Sequence, residues 1–157
     1  VSRILSVNLP QPGAGFSKHP VDHLVTVPVG DDVYAYARDD YDWWQARLSR
    51  RLPNGLFGET ITTEDLDLGN AVIGETWRIG PRLMVQLVPG RILDIAFQHM
   101  MGEPRWMKTF ARSNRPGAWL RVLEPGEVWA GDPVSIEDRP ANGITIAQAQ
   151  HQRTMAP

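Results

Sequence analysis

The sequence has no cysteine in its 157 residues. Within this chain that excludes disulfides, thiolate metal sites and a cysteine nucleophile. It also lacks long apolar runs; none approaches the ~18 residues of a membrane-spanning helix. The opening residues, Val1 to Asn8, have no long apolar region of the signal-peptide kind, so a cytoplasmic location is the default expectation. Neither sign of charge dominates: 16 basic residues face 18 acidic ones, for a net charge of −2. No clustered basic face of the kind nucleic acids require is visible. Arg47, Arg50 and Arg51 sit where a predicted helix ends, and cations suit its dipole there. Histidines number four. His19 and His23 flank Pro20-Val21-Asp22, and no group of His and carboxylate residues has ligand spacing. The expectation is no metal, no cofactor, no nucleic acid and no membrane. A small organic ligand is the remaining partner, and the oligomeric state, a homodimer included, stays open.

What the sequence does have is punctuation. Its 14 glycines and 13 prolines are spread along the chain rather than gathered in a linker, which suits many short strands joined by turns. The length suits one domain, residues 1–157, able to bury roughly 70% of its unfolded surface. Its core is expected over 3–146, with a tail over 147–157.

Residues Ile4–Leu9 read as a first strand. Val21–Val29 alternates and Val33–Ala37 returns across Gly30-Asp31-Asp32, which predicts a hairpin. Asp39 or Asp40 is expected to cap a helix running to Arg51, with Trp43, Trp44 and Leu48 on one broad face. Thr62–Asn70 reads as a loop with a turn of helix. Val72–Ile79 and Arg82–Val88 form a second hairpin across Gly80-Pro81. Glu103-Pro104 opens a further helix, on which Trp106, Met107 and Phe110 share a face. Ala118–Leu123, Glu127–Trp129 and Gly131–Glu137 read as strands. Ile144–Ile146 adds one more, after which the tail frays. Val72–Ile79 and Trp129–Ile136 look alike as strand beginnings but do not make a repeat. About nine strands and three short helices predict a mainly β fold, a closed or nearly closed β-barrel with flanking short α-helices.

The stretch from Pro81 to Met101 organises the rest. Leu83–Val88 is an apolar run of strand length, Pro89-Gly90 stops it, and Ile92, Leu93, Ile95, Ala96, His99 and Met100 recur at helical intervals. Gly90, Arg91 and Asp94 therefore fall at a joint between rigid elements, a common location for function.

Several motifs occur in a fixed order: Arg3–Asn8, Lys18-His-Pro-Val21, Val33-Tyr-Ala-Tyr36, Phe57-Gly-Glu59, Arg91-Ile92, Met101-Gly-Glu-Pro104, Trp106–Phe110, Arg115-Pro-Gly-Ala118, Leu120–Leu123 and Gly131-Asp-Pro-Val134. Together they resemble a MOSC domain of the stand-alone bacterial type, from residue 3 to about 146. The resemblance implies a β-barrel core, and sulfur or molybdenum-cofactor chemistry through a cysteine after a barrel strand. Relatives typically read Arg-x-Pro-Cys there, whereas this chain reads Arg91-Ile-Leu-Asp94. The loop before the Tyr-Ala-Tyr strand shrinks to Pro28–Asp32, and the family's Gly-Glu-Asn becomes Gly58-Glu59-Thr60. The resemblance thus supports the scaffold. The residues argue against the usual chemistry, because a carboxylate cannot form a persulfide.

The catalytic candidates are Asp94, His99 and Glu59. Asp94 is either a general acid or base, enclosed by Leu93, Ile95 and Phe97, or a helix N-terminal carboxylate that satisfies backbone amides. His99, near the apolar helix face, is a proton carrier if it faces the pocket and a core residue otherwise. Glu59 sits in an apolar segment, so it needs a partner; it serves the site or braces the backbone. Arg91, Lys18, Trp77 and Phe57 are the substrate-binding candidates. Arg91 either binds an anionic oxygen or pairs with Asp94 or Glu59. Lys18 matches a family position and contacts an anion or solvent. Trp43, Trp44 and Trp106 suit helix packing, while Trp77, Trp119 and Trp129 lie on strands and either line the barrel mouth, where a flat ligand would sit, or pack in the core, the reading the residues favour.

The functional expectation is a cysteine-independent enzyme acting on a small organic molecule by proton transfer and shape, through elimination, isomerisation or cyclisation. The alternatives are a non-catalytic binding module and a residual sulfur or molybdenum-cofactor role.

Overall fold

A computed structural model describes residues 1–155. The chain begins β1 (Arg3–Pro10), β2 (Lys18–Val21), β3 (Val25–Val27), β4 (Val33–Ala37), helix α1 (Arg38–Leu48) and β5 (Ile61–Glu64). β6 (Thr76–Ile79), β7 (Leu83–Val88), α2 (Ile95–Met101) and α3 (Trp106–Ala111) follow. β8 (Ala118–Glu124), β9 (Gly126–Val128), β10 (Val134–Asp138) and α4 (Ile146–Met155) complete it. Eight strands form one mixed sheet in the order β10-β6-β7-β8-β4-β5-β1-β2, and β3 pairs with β9 apart from it. β4 and β5 run parallel, with Ala35 opposite Ile61.

The alternation of β4 divides the interior into two layers. Ala35 and Ala37 point into an aliphatic core with Ile4, Val7, Leu87 and Leu120. Tyr34 and Tyr36 point the other way, into an aromatic core with Trp44, Phe57, Phe97 and Trp106 from the helical side. Successive side chains of a strand face opposite sides, so a strand apolar on both faces belongs at the centre of a covered sheet. β4 lies between β8 and β5. This corrects the predicted hairpin of Val21–Val29 with Val33–Ala37: β2 pairs with β1 and β3 with β9. Both edges of β4 are already taken.

β1 carries a bulge. Ile4 faces Thr63 and Ser6 faces Thr62, leaving Leu5 as the extra residue. The shift lets Ile4 and Val7 reach the same core while Ser6 and Asn8 turn to a buried polar patch.

The expected closed barrel is also corrected. The ladder has open edges at β10 and β2. The sheet bends far enough for β1 to meet the residues before β10, through the bridge Arg3–Pro133 and the bonds Ile4 N–H to Asp132 O and Val134 N–H to Ser2 O. The chain turns at Ala130–Gly131, so this pairing stops after one bridge. The fold is mainly β, a mixed sheet with short helices. The two similar strand beginnings become β6 and β10, which pair with each other.

The helices begin differently from the sequence expectation. α1 starts at Arg38 with Ala37 as N-cap, and neither Asp39 nor Asp40 caps it. Asp40 instead pairs with Arg115 at 2.7 Å. α3 starts at Trp106, after Arg105 in the left-handed region, not at Pro104. The Thr62–Asn70 loop is replaced at its start by β5, buried at Ile61, Thr62 and Thr63. Ile144–Ile146 is not a strand: Thr145 makes one bridge to Val72, and α4 takes the tail that was expected to fray. Thr145 Oγ1 accepts from Gln148 N–H at 3.1 Å, and Gln148 Oε1 accepts from Thr145 N–H at 2.8 Å. That reciprocal capping box starts the helix. The last two tail residues lie outside the described ones.

Candidate functional site

A cleft of about 470 Å³ opens where five pieces of chain meet. They are the start of β2, the β3–β4 connection with the head of β4, the 57–60 segment, the 91–94 segment and β8. Aromatic rings form much of its wall. Phe16 stacks on Phe97 at 5.1 Å, Phe57 meets Phe97 edge-on at 5.1 Å, and Tyr34 tilts against Trp119 at 4.8 Å. Lys18, Arg91, Asp31, Asp32 and Asp94 bring the charge.

The 55–60 segment is held from behind by Glu59. Its side chain is fully buried. Oε1 accepts from the Tyr41 hydroxyl at 2.6 Å, and Oε2 accepts from Gly55 N–H at 3.0 Å and Thr62 Oγ1 at 2.9 Å. Asn8 Nδ2 donates to the Glu59 backbone oxygen and to Thr62 Oγ1, and Ser6 Oγ donates to Asn8 Oδ1. Burial raises the Glu59 carboxyl from 4.5 to about 7, against the pull of those donors. Glu59 is absent from the cleft lining. Its bonds run to the backbone and to neighbouring side chains.

Lys18 reaches into the cleft from β2. Its ammonium donates to Thr60 Oγ1 at 2.9 Å, and among the described residues it has no carboxylate partner within ion-pair distance. Burial lowers its pKa, partly offset by the nearby Glu59 charge. Gly55 permits the close approach of the two segments: a Cβ there would lie 2.3 Å from the Lys18 backbone oxygen.

Asp94 stands at the rim. It is the N-cap of α2, its Oδ1 accepting from Ala96 N–H at 2.9 Å. The apolar enclosure expected from Leu93 and Ile95 is absent, since these are 72% and 62% exposed. Arg91 also lines the cleft and is exposed. Neither expected ion pair, with Asp94 or with Glu59, is formed among the described residues.

Two candidates lie elsewhere. α2 buries Phe97 and Met101, a pair four residues apart. Ile95 and His99, also four apart, therefore share the outer face, and His99 is exposed and outside the cleft. Trp77 is wholly buried, with Nε1 donating to Glu75 Oε2 at 2.6 Å. It belongs to the aliphatic core, and Trp119 is the strand tryptophan on the cleft. The pattern held the signal: Trp77 alternates with exposed-type Thr76 and Arg78, whereas Trp119 alternates with core residues Ala118 and Leu120. Phe57 is in the lining and wholly buried, which puts its ring at the floor. Phe16, Tyr34, Asp31 and Asp32 join it without having been singled out.

Among the described residues no helix is long and apolar enough to cross a membrane. The chain is 29% identical over 114 residues to the "Uncharacterized protein YflK" of Bacillus subtilis, covering 73% of this chain and 51% of that protein. It is 28% identical over 122 residues to a protein named "Reductase" from Gibberella moniliformis, covering 75% of this chain and 22% of that one. The chain thus spans about half the length of the first relative and about a fifth of the second. The crystal structure of YiiM from Geobacillus stearothermophilus superimposes with a TM-score of 0.88 at 24% identity, over 99% of this chain and 85% of that one. YiiM from Escherichia coli gives 0.78 at 19% identity, over 99% and 77%. At these identities the likeness speaks for the fold. Residues 22–135 match the MOSC domain, and with that match running through β3 to the start of β10, the chain belongs to the MOSC domain family.

Proposed function

We propose that this MOSC-fold chain takes a small, flat organic anion into the Lys18 cleft and moves a proton on it without a thiol. The observation that carries the reading is Lys18. A half-buried ammonium with a hydroxyl as its only side-chain partner among the described residues, set among aromatic rings, is suited to an anionic group on a flat body. Arg91 adds a second cation with a fork for carboxylate or phosphate. Asp94 is the available base at the rim.

The family's sulfur chemistry does not fit the residues present. No residue of this chain is a cysteine, and the segment where the resemblance expects one carries Leu93 and Asp94. Neither offers a thiolate for sulfur carriage. Proton transfer, as in elimination, isomerisation or cyclisation, needs only a base, a cation and a shaped site.

The Asp94 bond to Ala96 N–H favours a second reading, a binding protein in which Asp94 is only a cap. One comparison separates the two. The wild type and Asp94→Ala are incubated with a fractionated cell extract, and the bound and free metabolites are followed by mass spectrometry. Loss of a bound metabolite with wild type, and its retention unchanged by Asp94→Ala, supports catalysis. A ligand bound and unchanged by both supports the binding protein. No retained ligand in either contradicts the proposal.

A further inference from the structure

Arg91, Ile92 and Leu93 wall two cavities. On one side is the Lys18 cleft, and on the other is a groove of about 340 Å³ between this segment, α3 and α4. The groove gathers four cations, Arg91, Lys108, Arg112 and Arg153, and no carboxylate. Among the described residues none of the four makes an ion pair. Burial lowers the Arg153 pKa, and the Arg91 charge lowers it further, so like charges are held together here without an opposing group. Ile92, Met107, Phe110 and Pro116 supply apolar surface beside them.

Gln150 gives an independent sign of a ligand. It lines the groove, yet is only 3% exposed. Its Nε2 donates to Phe110 O at 3.1 Å, while its buried Oε1 has no partner among the described residues. An acceptor removed from water and left unpaired is costly, and a ligand donor relieves it.

We propose that this groove is a second binding site, for a phosphorylated small molecule with a flat or apolar body and an N–H or O–H donor. Four unopposed cations suit a multiply charged phosphate better than a single carboxylate. Arginine forks hold phosphate oxygens in pairs. The apolar surface takes the body, and Gln150 Oε1 takes the donor. The site is distinct from the Lys18 cleft but shares its Arg91–Leu93 wall.

The test is calorimetric titration of the full chain with adenosine monophosphate, 1-naphthyl phosphate and inorganic phosphate. Both organic phosphates bind at least about tenfold more tightly than inorganic phosphate, because only they fill the apolar part. Lys108→Ala and Arg112→Ala each weaken adenosine monophosphate by about tenfold. Both residues are exposed, so these variants keep the fold. Gln150→Met weakens adenosine monophosphate but not 1-naphthyl phosphate, whose ring carries no donor. Lys18→Met still shows saturable binding of both organic phosphates, which separates this site from the cleft. The proposal is overturned by absence of saturable binding, by equal affinity for inorganic phosphate, by binding that survives both Lys108→Ala and Arg112→Ala, or by binding lost in Lys18→Met.

Discussion

The Tyr41 hydroxyl donates to Glu59 Oε1 at 2.6 Å and accepts from Phe57 N–H at 2.8 Å. One side chain of α1 thereby fixes the 57–60 segment, which brings Phe57, Gly58 and Thr60 to the cleft. Tyr41→Phe leaves the Phe57 amide and a carboxylate oxygen without this partner. It is expected to cost about 2–4 kcal/mol of stability, read as a lower urea midpoint, and to weaken ligand binding through a loosened floor.

Glu59 gives the fold a pH dependence. Its carboxyl holds a proton up to about 7 when folded, against 4.5 in the unfolded chain. Between these values the folded state binds more protons than the unfolded state, so stability falls as pH rises through the window. The loss is on the order of 3 kcal/mol. Urea unfolding from pH 4 to pH 8 measures it, and the total loss across the window is smaller by that amount in Glu59→Gln. An identical slope in both proteins contradicts the assignment.

Gly90 lies against Trp119: a Cβ there would sit 2.4 Å from the indole Cδ1. Gly90→Ala must displace the ring, at a cost of about 1–3 kcal/mol. Because Trp119 walls the cleft, ligand affinity falls with it. A shift in tryptophan fluorescence, with a lower unfolding midpoint, reports the displacement.

Asp94→Ala removes the cap of α2 and costs about 1 kcal/mol. If Asp94 is the base, turnover falls far more than this stability change explains. His99→Ala, on the outer face of the same helix, leaves stability within about 0.5 kcal/mol and leaves turnover unchanged. Equal effects of the two substitutions on turnover would remove Asp94 from the chemistry.

Strand identity was legible wherever alternation or a short apolar run was local. Ile4–Leu9, Leu83–Val88 and Ala118–Leu123 all fall within strands. So was the joint at Pro89-Gly90, because a breaker between two periodicities needs no tertiary knowledge. Pairing was not legible. β4 reads like half of a hairpin, yet its two apolar faces commit it to the sheet centre, where β5 and β8 flank it. α4 was missed although Thr145-Ile-Ala-Gln148 has the capping-box spacing, because Ile144 and Ile146 alternate like a strand. The same holds at the site. Lys18, Phe57, Arg91 and Asp94 do share a cleft, but the choice of helix face at His99 and of strand face at Trp77 rests on packing partners far away in sequence.

The central claim is that Lys18 holds an organic anion among the cleft's aromatic rings. Native mass spectrometry of Asp94→Ala and of Asp94→Ala with Lys18→Met, each purified after exposure to the same cell extract, tests it most directly. The account predicts an organic adduct on Asp94→Ala that is absent from the folded double variant. The same adduct on both proteins, or none on Asp94→Ala, would contradict it.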